Sequence, residues 1–312
     1  MNEFDFIEKF FKPLTNKMAM NLKDDAAIFK QKLDHDLIIS TDTITEGIHF
    51  FGHENPKDIA KKSLRVNLSD MAAMGAKPIF YNLSISIPKH RSRTFIPKFA
   101  RGLYEDQELF GLKLIGGDLT SALHDTNITI TIFGETLNKK SVSRSGAKIG
   151  DLLFVSGVLG LAKIGLDNFY SKAKIFSSAK KKYLVPQPRV DLGLTLNKIA
   201  SSMIDISDGL IQDAKHLAKN SNLSIVLDIK KLPLAPIKNL KKDLLLDAAL
   251  YGGDDYELLF SCKPKYEKLL KKISLDKNIE LTNIGFFQKF NKEYIKTKNC
   301  GLILKKDSFM HF

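Results

Sequence analysis

A set of aspartates, each expected at the end of a strand or in a turn, is the feature of this sequence with the most capacity for chemistry. Its members are Asp24 and Asp25 (KDDAA), Asp42 (STDT), Asp70 (NLSDMAAMGA), Asp118 (GGD), Asp205 and Asp208 (DISDGL), and Asp254 and Asp255 (GGDDYEL). If these carboxylates converge, they repel one another and raise each other's pKa unless a cation neutralises them. Mg²⁺ takes oxygen ligands and commonly shares them with substrate phosphates. The set therefore indicates magnesium–nucleotide chemistry, with neighbouring glycines admitting the phosphates.

Each aspartate taken singly has a simpler explanation, because turns and helix N-caps also favour this residue. Asp208, which precedes Gly-Leu-Ile, could cap the following helix. The set as a whole favours a binding site, since loops and strand ends are where such sites are usually built. Arg144, in the string SRSG, could pair with a phosphate, and the alternative for it is an ion pair with Asp151.

The elements that must position these aspartates alternate between strand-like and helix-like patterns, which predicts an α/β or α+β protein. In the first part of the chain, strands are predicted at residues 37–43, 81–87, 112–115 and 127–136, and helices at 55–75 and 93–110. Asn55 and Pro56 mark the start of the first helix, and Gly75 marks its end. The strand at 112–115 is expected to run into Gly116-Gly117-Asp118, which places Asp118 at a strand end or in a turn.

A polar, basic segment at residues 139–150 predicts a domain boundary. The two predicted units are an N-terminal α+β domain at 1–138 and a C-terminal α/β domain at 139–312. In the second unit, strands are predicted at 151–156, 224–229 and 256–261, and a helix at 243–250. The Lys- and Ser-rich segment at 172–182 is expected to be a solvated helix face or a loop.

The composition excludes several classes of protein. With 44% hydrophobic and 27% charged residues among 312, the chain is typical of a globular protein rather than a collagen-like or disordered one. Its net charge of +13 permits nucleic acid, an acidic membrane surface or an anionic substrate as partner. The lysines are scattered without an aromatic-interleaved basic stripe, so nucleic-acid binding is not expected. No signal peptide is recognisable and no apolar run approaches the ~20 residues that span a bilayer, so we expect a cytoplasmic protein without membrane contact.

The sequence also lacks the common short motifs of nucleotide and hydrolytic enzymes. It contains no GxxxxGK[ST] phosphate loop, no GxGxxG, no HExxH and no GxSxG. Its two cysteines, Cys262 and Cys300, form no CxxC and cannot build a zinc site alone. Any magnesium–nucleotide site must therefore be of another type.

The aspartate strings and their neighbours, in this order, resemble the thiamine-phosphate kinase (thiamine-monophosphate kinase) family. The matching segments are DDAA at 24–27, ISTDT at 39–43, GIHF at 47–50, VNLSDMAAMGAKP at 66–78, LIGGDLT at 114–120, SRSGAKIGD at 143–151, VPQPR at 185–189, IDISDGLIQD at 204–213 and GGDDYELLF at 252–260. The family shares a superfamily with aminoimidazole ribonucleotide synthetase, selenophosphate synthetase and a hydrogenase maturation protein. The resemblance implies an N-terminal α+β domain that forms a homodimer through its sheet, a C-terminal α/β domain, and an active site in the cleft between them.

The resemblance also implies the reaction and the residues that serve it. Thiamine phosphate would be phosphorylated by ATP, with several Mg²⁺ ions, to thiamine diphosphate, the final step of that cofactor's biosynthesis. The implied magnesium ligands are Asp25, Ser40, Thr41, Asp42, Asp70, Asp118, Asp205 and Asp208. ATP would be contacted by Gly117, Asp118, Arg144 and Ser207, and thiamine phosphate by His49 and Asp254. We expect direct in-line attack by a thiamine phosphate oxygen, which is already ionised, so no general base or nucleophile is assigned.

Three places depart from the family pattern. Lys23 replaces the usual glycine before the aspartate pair, and Asp254 replaces the usual glutamate of GGEDYEL. Near the C-terminus, where the family has an aromatic that stacks on the substrate, this chain has Lys306, with Phe309 and Phe312 close by.

Other members of the superfamily fit less well. A selenophosphate synthetase would need a reactive cysteine near the N-terminus, and none precedes Cys262. A hydrogenase maturation protein would need a C-terminal cysteine, whereas this chain ends in Met310-His311-Phe312. Aminoimidazole ribonucleotide synthetase stays open, although GIHF and GGDDYEL favour the thiamine enzyme. A basic nucleic-acid-binding protein without catalysis is the alternative from another class, and it would bind with a steep salt dependence.

Overall fold

A computed structural model of the protein describes residues 27–30, 35–137 and 140–298, the first of these ranges by its backbone only. These residues form two β-sheets and eight α-helices. No helix within the described ranges is long and apolar enough to cross a membrane.

The first sheet has five strands in the order β1-β2-β5-β3-β4, and only its β3–β4 pair is parallel. Its strands are β1 (Ala27–Lys30), β2 (Asp36–Thr45), β3 (Ala76–Pro88), β4 (Lys113–Ala122) and β5 (Asn127–Thr136). Two long helices connect its strands, α1 (Pro56–Ala73) and α2 (Lys89–Phe110).

The second sheet has six strands in the order β11-β8-β10-β6-β9-β7, and its β8–β11 pair is parallel. Its strands are β6 (Leu152–Ser156), β7 (Ala200–Asp205), β8 (Leu223–Leu227), β9 (Leu258–Cys262), β10 (Leu281–Lys289) and β11 (Ile295–Thr297). The helices of this part are α3 (Leu161–Asp167), α4 (Ser177–Leu184), α5 (Val190–Leu196), α6 (Leu210–Asn220), α7 (Lys242–Tyr251) and α8 (Glu267–Lys277).

Most predicted elements are present with small changes at their ends. Strand β5 has the predicted bounds, and α1 begins after Asn55, whose side chain accepts a hydrogen bond from the Lys57 N–H at 3.1 Å. Strand β8 ends before the predicted residue 229, because the Asp228 side chain caps a 3₁₀ turn at Ile229–Lys231. The segment at 172–182 contributes a 3₁₀ turn and most of α4.

The prediction that each aspartate of the set lies at a strand end or in a turn was wrong for Asp70, which lies within α1, and for Asp118, which lies within a strand. Strand β4 continues through the Gly-Gly-Asp string to Ala122, and Asp118 stands opposite Ser84 on β3. Gly117 makes this continuation feasible, because a Cβ atom there would lie 1.8 Å from the Leu83 carbonyl oxygen. Only glycine allows the two backbones to approach so closely.

Helix α1 is the element that both sheets share. Thirteen of its 18 residues are buried, and it contacts β2, β3 and β5 of the first sheet and β7 of the second. One hydrophobic core runs from Ile130 of the first sheet through Leu68 of α1 to Phe260 of the second. Positions on α1 are therefore fixed relative to both sheets. The linker at 137–151 connects β5 to β6, and the domain division at 138/139 stays a prediction.

A buried ion pair anchors α1 to α2. Asp106 has no exposed surface, and its two oxygens accept hydrogen bonds from Arg65 Nε at 2.6 Å and Nη2 at 2.8 Å. Arg65 Nη1 also donates to the Pro186 carbonyl at 3.0 Å, in the segment that leads into α5. The guanidinium thus joins the two helices of the first sheet to the second half of the chain.

Replacing Arg65 by alanine should destabilise the fold strongly. The change leaves the Asp106 carboxylate buried without its cation, which costs about 3–5 kcal/mol of unfolding free energy. Lys113→Ala is the control, because the Lys113–Glu108 pair is exposed at both ends and is worth less than about 1 kcal/mol. Urea denaturation of both variants measures the difference. Equal, small losses in the two variants would contradict this account of the buried pair.

Candidate active site

A cavity of about 370 Å³ lies where the two sheets meet across α1. Seven of the thirteen residues to which the sequence gave a role line it, namely Asp42, His49, Asp70, Asp205, Ser207, Asp208 and Asp254. These residues come from distant parts of the chain and from both sheets. A cavity of this size accommodates part or all of a small-molecule ligand.

The side chains of strand β2 lie on both faces of the first sheet. Ser40 and Asp42 are two residues apart and share one face, and Ser40 Oγ donates to Asp70 Oδ2 at 2.5 Å. Thr41 points to the other face, where its hydroxyl donates to Thr131 Oγ1 at 2.9 Å. A contact between Thr41 and a ligand in the cavity would therefore use its main chain.

The last turns of α1 connect β2 to the end of β7. Asn67 Oδ1 accepts from the Asp42 N–H at 3.2 Å, and Ser69 Oγ donates to Asp205 Oδ2 at 2.5 Å. Because Asp70 lies on the same turn, three cavity aspartates from separate elements are held by one helix.

Two chain segments form the opposite wall and are bonded to each other. The Asp254 N–H donates to the Ser207 carbonyl at 2.9 Å, and the Tyr256 N–H donates to the Ile206 carbonyl at 2.8 Å. Gly253 allows this approach, since a Cβ there would lie 2.3 Å from the Ser207 carbonyl oxygen. The DISDGL and GGDDYEL strings thus fold as one unit.

Behind this wall, Asp213 is the acid whose pKa burial and the neighbouring carboxylates raise. It is buried, and its Oδ2 accepts a hydrogen bond from the Asp208 N–H at 3.2 Å. Burial, followed by the nearby Asp208 and Asp205, holds the pKa of Asp213 well above its usual range, while Arg144 acts in the opposite direction. Arg144 therefore stands close to these acids, although it does not line the cavity.

The His49 end of the cavity has a different character. His49 Nδ1 accepts a hydrogen bond from the Thr45 N–H at 3.0 Å, which leaves the proton of a neutral ring on Nε2. Asp254 Oδ1 accepts from the Tyr256 hydroxyl at 3.0 Å, and Asp254 Oδ2 accepts from Lys62 Nζ at 2.8 Å. The sequence analysis assigned no role in the site to Lys62, Tyr183 or Tyr256. The four-residue spacing of Lys62, Val66 and Asp70 on one helix face was the available signal.

Some predicted residues lie away from the cavity. Gly117 and Asp118 are on the exposed strand β4. Asp25, together with Lys23, Lys306, Phe309 and Phe312, lies outside the described residues.

The donor chemistry fits a hard cation, although the acids surround the cavity rather than meet at a point. In the ranges 35–137 and 140–298, no group of three or more His, Cys, Asp or Glu side chains is close enough to hold a metal ion. The residues available are carboxylates and a serine hydroxyl, which is the oxygen set that Mg²⁺ prefers. Such an ion would complete its coordination with substrate phosphates or water.

Comparisons with known proteins give the family. The family model described as AIR synthase related protein, N-terminal domain, matches residues 23–136. A curated thiamine-monophosphate kinase from Buchnera aphidicola subsp. Schizaphis graminum is 40% identical over 322 residues, covering 100% of this chain and 99% of that protein. The chain belongs to the thiamine-monophosphate kinase family. The resemblance seen in the sequence is confirmed, and the chain is a kinase.

Solved structures confirm the fold class of this thiamine-monophosphate kinase family member. AaThiL complexed with AMPPCP and TMP has a TM-score of 0.88 at 28% identity, covering 100% of this chain and 97% of that one. E. coli HypE, a hydrogenase maturation protein, has a TM-score of 0.71 at 19% identity, covering 87% and 85%. At that identity the likeness to HypE shows the fold alone.

Asp255, which follows the cavity residue Asp254, fixes the wall from behind. Its carboxylate accepts from the Gly160 N–H at 2.6 Å and the Ala162 N–H at 3.2 Å, at the start of α3. Burial raises the pKa of Asp255 from 3.8 to about 7, although Lys182 and the two N–H groups oppose the shift.

Asp255 should make the fold less stable as pH rises from about 4 to about 7. Because its folded-state pKa lies above the unfolded value, its ionisation is disfavoured in the folded protein, and the penalty is complete above the folded pKa. Asp255→Asn keeps an acceptor but does not titrate. The free energy of unfolding of the variant, measured relative to that of wild type by denaturation across this pH range, should therefore increase as pH rises. A difference between the two that does not change with pH would refute the raised pKa of Asp255.

Proposed function

We propose that this chain transfers the γ-phosphoryl group of ATP to thiamine phosphate, giving ADP and thiamine diphosphate, with Mg²⁺ ions in the cavity between the two sheets. The observation that carries the proposal is the full-length similarity to thiamine-monophosphate kinases. The complex of AaThiL with AMPPCP and TMP supports the same pair of ligands here. Lys62, which contacts His49 and Asp254, lies two turns before Asp70 on α1, so the cavity has an acidic end near Asp70 and a His49–Asp254 end, which suits two different ligands.

The acidic end is suited to bind magnesium and the ATP phosphates. Asp42, Asp70, Asp205 and Asp208 line it, and Ser40 contacts Asp70. These residues would hold the ions together with the Thr41 main chain. Magnesium supplies charge neutralisation between the phosphates of the two substrates.

The remaining residues bind and orient the substrates. Ser207 lines the acidic end and Arg144 stands close to it, so we assign both to ATP. Gly117 and Asp118 lie on the exposed strand β4, away from the cavity, and are not part of this assignment. His49 Nε2–H donates to thiamine phosphate, and Asp254 accepts from it. In-line attack by the ionised phosphate oxygen then needs positioning and charge stabilisation and no general base.

The direct test quantifies thiamine diphosphate after incubation with ATP, Mg²⁺ and either thiamine phosphate or thiamine. We expect product from thiamine phosphate alone, and none when a chelator removes the metal. Absence of product under conditions where ATP binds would overturn the substrate assignment and direct attention to Lys23 and Asp254.

Asp70→Asn should reduce turnover by at least about a hundredfold, because a carboxamide cannot replace the charge of a magnesium ligand. The fold should survive, since asparagine still accepts the Ser40 hydrogen bond. The exposed Asp243→Asn on α7 is the control and should retain wild-type turnover. Turnover at the wild-type rate in the Asp70 variant would remove this residue from the metal site.

Strand β4 supports the homodimer that the family resemblance implies. It is the edge of the first sheet, and it exposes Leu114, Ile115 and Leu119 by 45%, 56% and 58%. A long apolar edge strand is a liability in a monomer unless another chain covers it. We propose that a second copy of the chain does so.

Ile115→Lys should therefore weaken dimerisation. It places two like charges near each other across a symmetric interface, in a position that an isolated chain tolerates. Light scattering coupled to gel filtration should give a dimer for wild type and a monomer for the variant. The outward-facing Leu275→Lys on α8 is the control, and a dimer in both variants would exclude β4 as the interface.

A further inference from the structure

We propose that Lys62 is a positioning residue for thiamine phosphate, which holds the Asp254 carboxylate and the His49 main chain in their binding positions. The inference rests on the proposed function and adds to it a residue that does not itself line the cavity but contacts three residues that do.

Three contacts surround the Lys62 ammonium group. Nζ donates to Asp254 Oδ2 at 2.8 Å and to the His49 carbonyl at 3.0 Å, and it lies 3.9 Å from the centre of the Tyr183 ring. An ammonium group has three N–H donors, so the number of contacts equals the number of donors. Lys62 is only 3% exposed and does not line the cavity, whereas His49 and Asp254 do. Its contacts therefore fit a supporting role rather than direct binding.

The Asp254 segment needs such support. Asp254 and Tyr256 have φ angles of +67° and +48°, which non-glycine residues adopt only at a cost. Asp254 is held by Tyr256 on one oxygen and by Lys62 on the other, yet its side chain keeps 32% exposure. The carboxylate is thus fixed in place and still open to the cavity.

The ion pair also changes what Asp254 can recognise. A carboxylate already neutralised by an ammonium group is a weak counter-ion for the positive thiazolium ring. It remains a good acceptor at a fixed position for a neutral N–H donor such as the aminopyrimidine amino group. We therefore assign Asp254 to a hydrogen-bond donor of the substrate rather than to its positive charge.

Tyr183 extends the same arrangement to the second half of the chain. Its hydroxyl donates to the His49 carbonyl at 3.2 Å, so this oxygen accepts from both Tyr183 and Lys62. The His49 turn is consequently fixed from α1 and from α4. A turn fixed in this way keeps the His49 ring aimed at the cavity.

The test uses Lys62→Met, which keeps most of the side-chain volume and removes the charge. We expect the KM for thiamine phosphate to rise roughly 10- to 100-fold, the worth of a charged hydrogen bond, with the KM for ATP changed less than about twofold. Lys61→Met is the matched control, because Lys61 pairs with Glu105 on the other side of α1. Lys62→Gln, which keeps a donor, replaces the methionine variant if that variant does not fold.

A double-mutant cycle with Asp254→Asn separates positioning from a general structural role. If Lys62 acts through Asp254, the fold-rise in the thiamine phosphate KM of the double variant should be far smaller than the product of the fold-rises in the two single variants. Multiplicative effects, equal rises in both KM values, or a thiamine phosphate KM like that of Lys61→Met would each overturn the proposal. Wild-type protein that makes no thiamine diphosphate would instead refute the proposed function.

Discussion

Repulsion between carboxylates is the constraint on which this structure depends. Asp42, Asp70, Asp205 and Asp208 line one cavity, and charges of one sign in a site of low dielectric cannot be gathered without compensation. The chain supplies part of it through the hydroxyls of Ser40 and Ser69, which donate to Asp70 and Asp205, and through the nearby charge of Arg144. Magnesium ions would supply the rest, and they would also neutralise the anionic phosphates of a substrate bound in the same cavity.

Helix α1 makes this compensation geometrically feasible. It is buried against strands of both sheets, so its residues keep their positions relative to both walls of the cavity. Its C-terminal end places Asp70 and the Ser69 hydroxyl at the acidic end, while Lys62 two turns earlier reaches Asp254 and His49. One helix face therefore sets the distance between the aspartates around Asp70 and the His49–Asp254 pair. Arg65 strengthens the arrangement by tying the same helix to Asp106 and to the Pro186 carbonyl.

The sequence was informative wherever local rules decide the structure. Asn55 and Pro56 fixed the start of α1, and the alternation of isoleucine and threonine fixed β5. The ordered strings identified the family and seven of the eighteen residues that line the cavity. The continuation of β4 through Gly117 could not be foreseen, because it depends on the close approach of Leu83 from another strand. The Lys62–Asp254 pair could not be foreseen either, since its partners are 192 residues apart and only tertiary packing brings them together. The side-chain direction of Thr41 follows from strand alternation and could have been predicted.

The central claim is that the aspartates of both sheets bind the metal ions shared by the two substrates. A crystal structure of the protein with AMPPCP, thiamine phosphate and Mn²⁺, measured at the manganese absorption edge, tests it most directly. We expect anomalous peaks at metal–ligand distance, about 2.0–2.3 Å, from oxygens of Asp42, Asp70, Asp205 or Asp208, with phosphates of both ligands next to them. Both ligands bound with no anomalous peak at these carboxylates would contradict it.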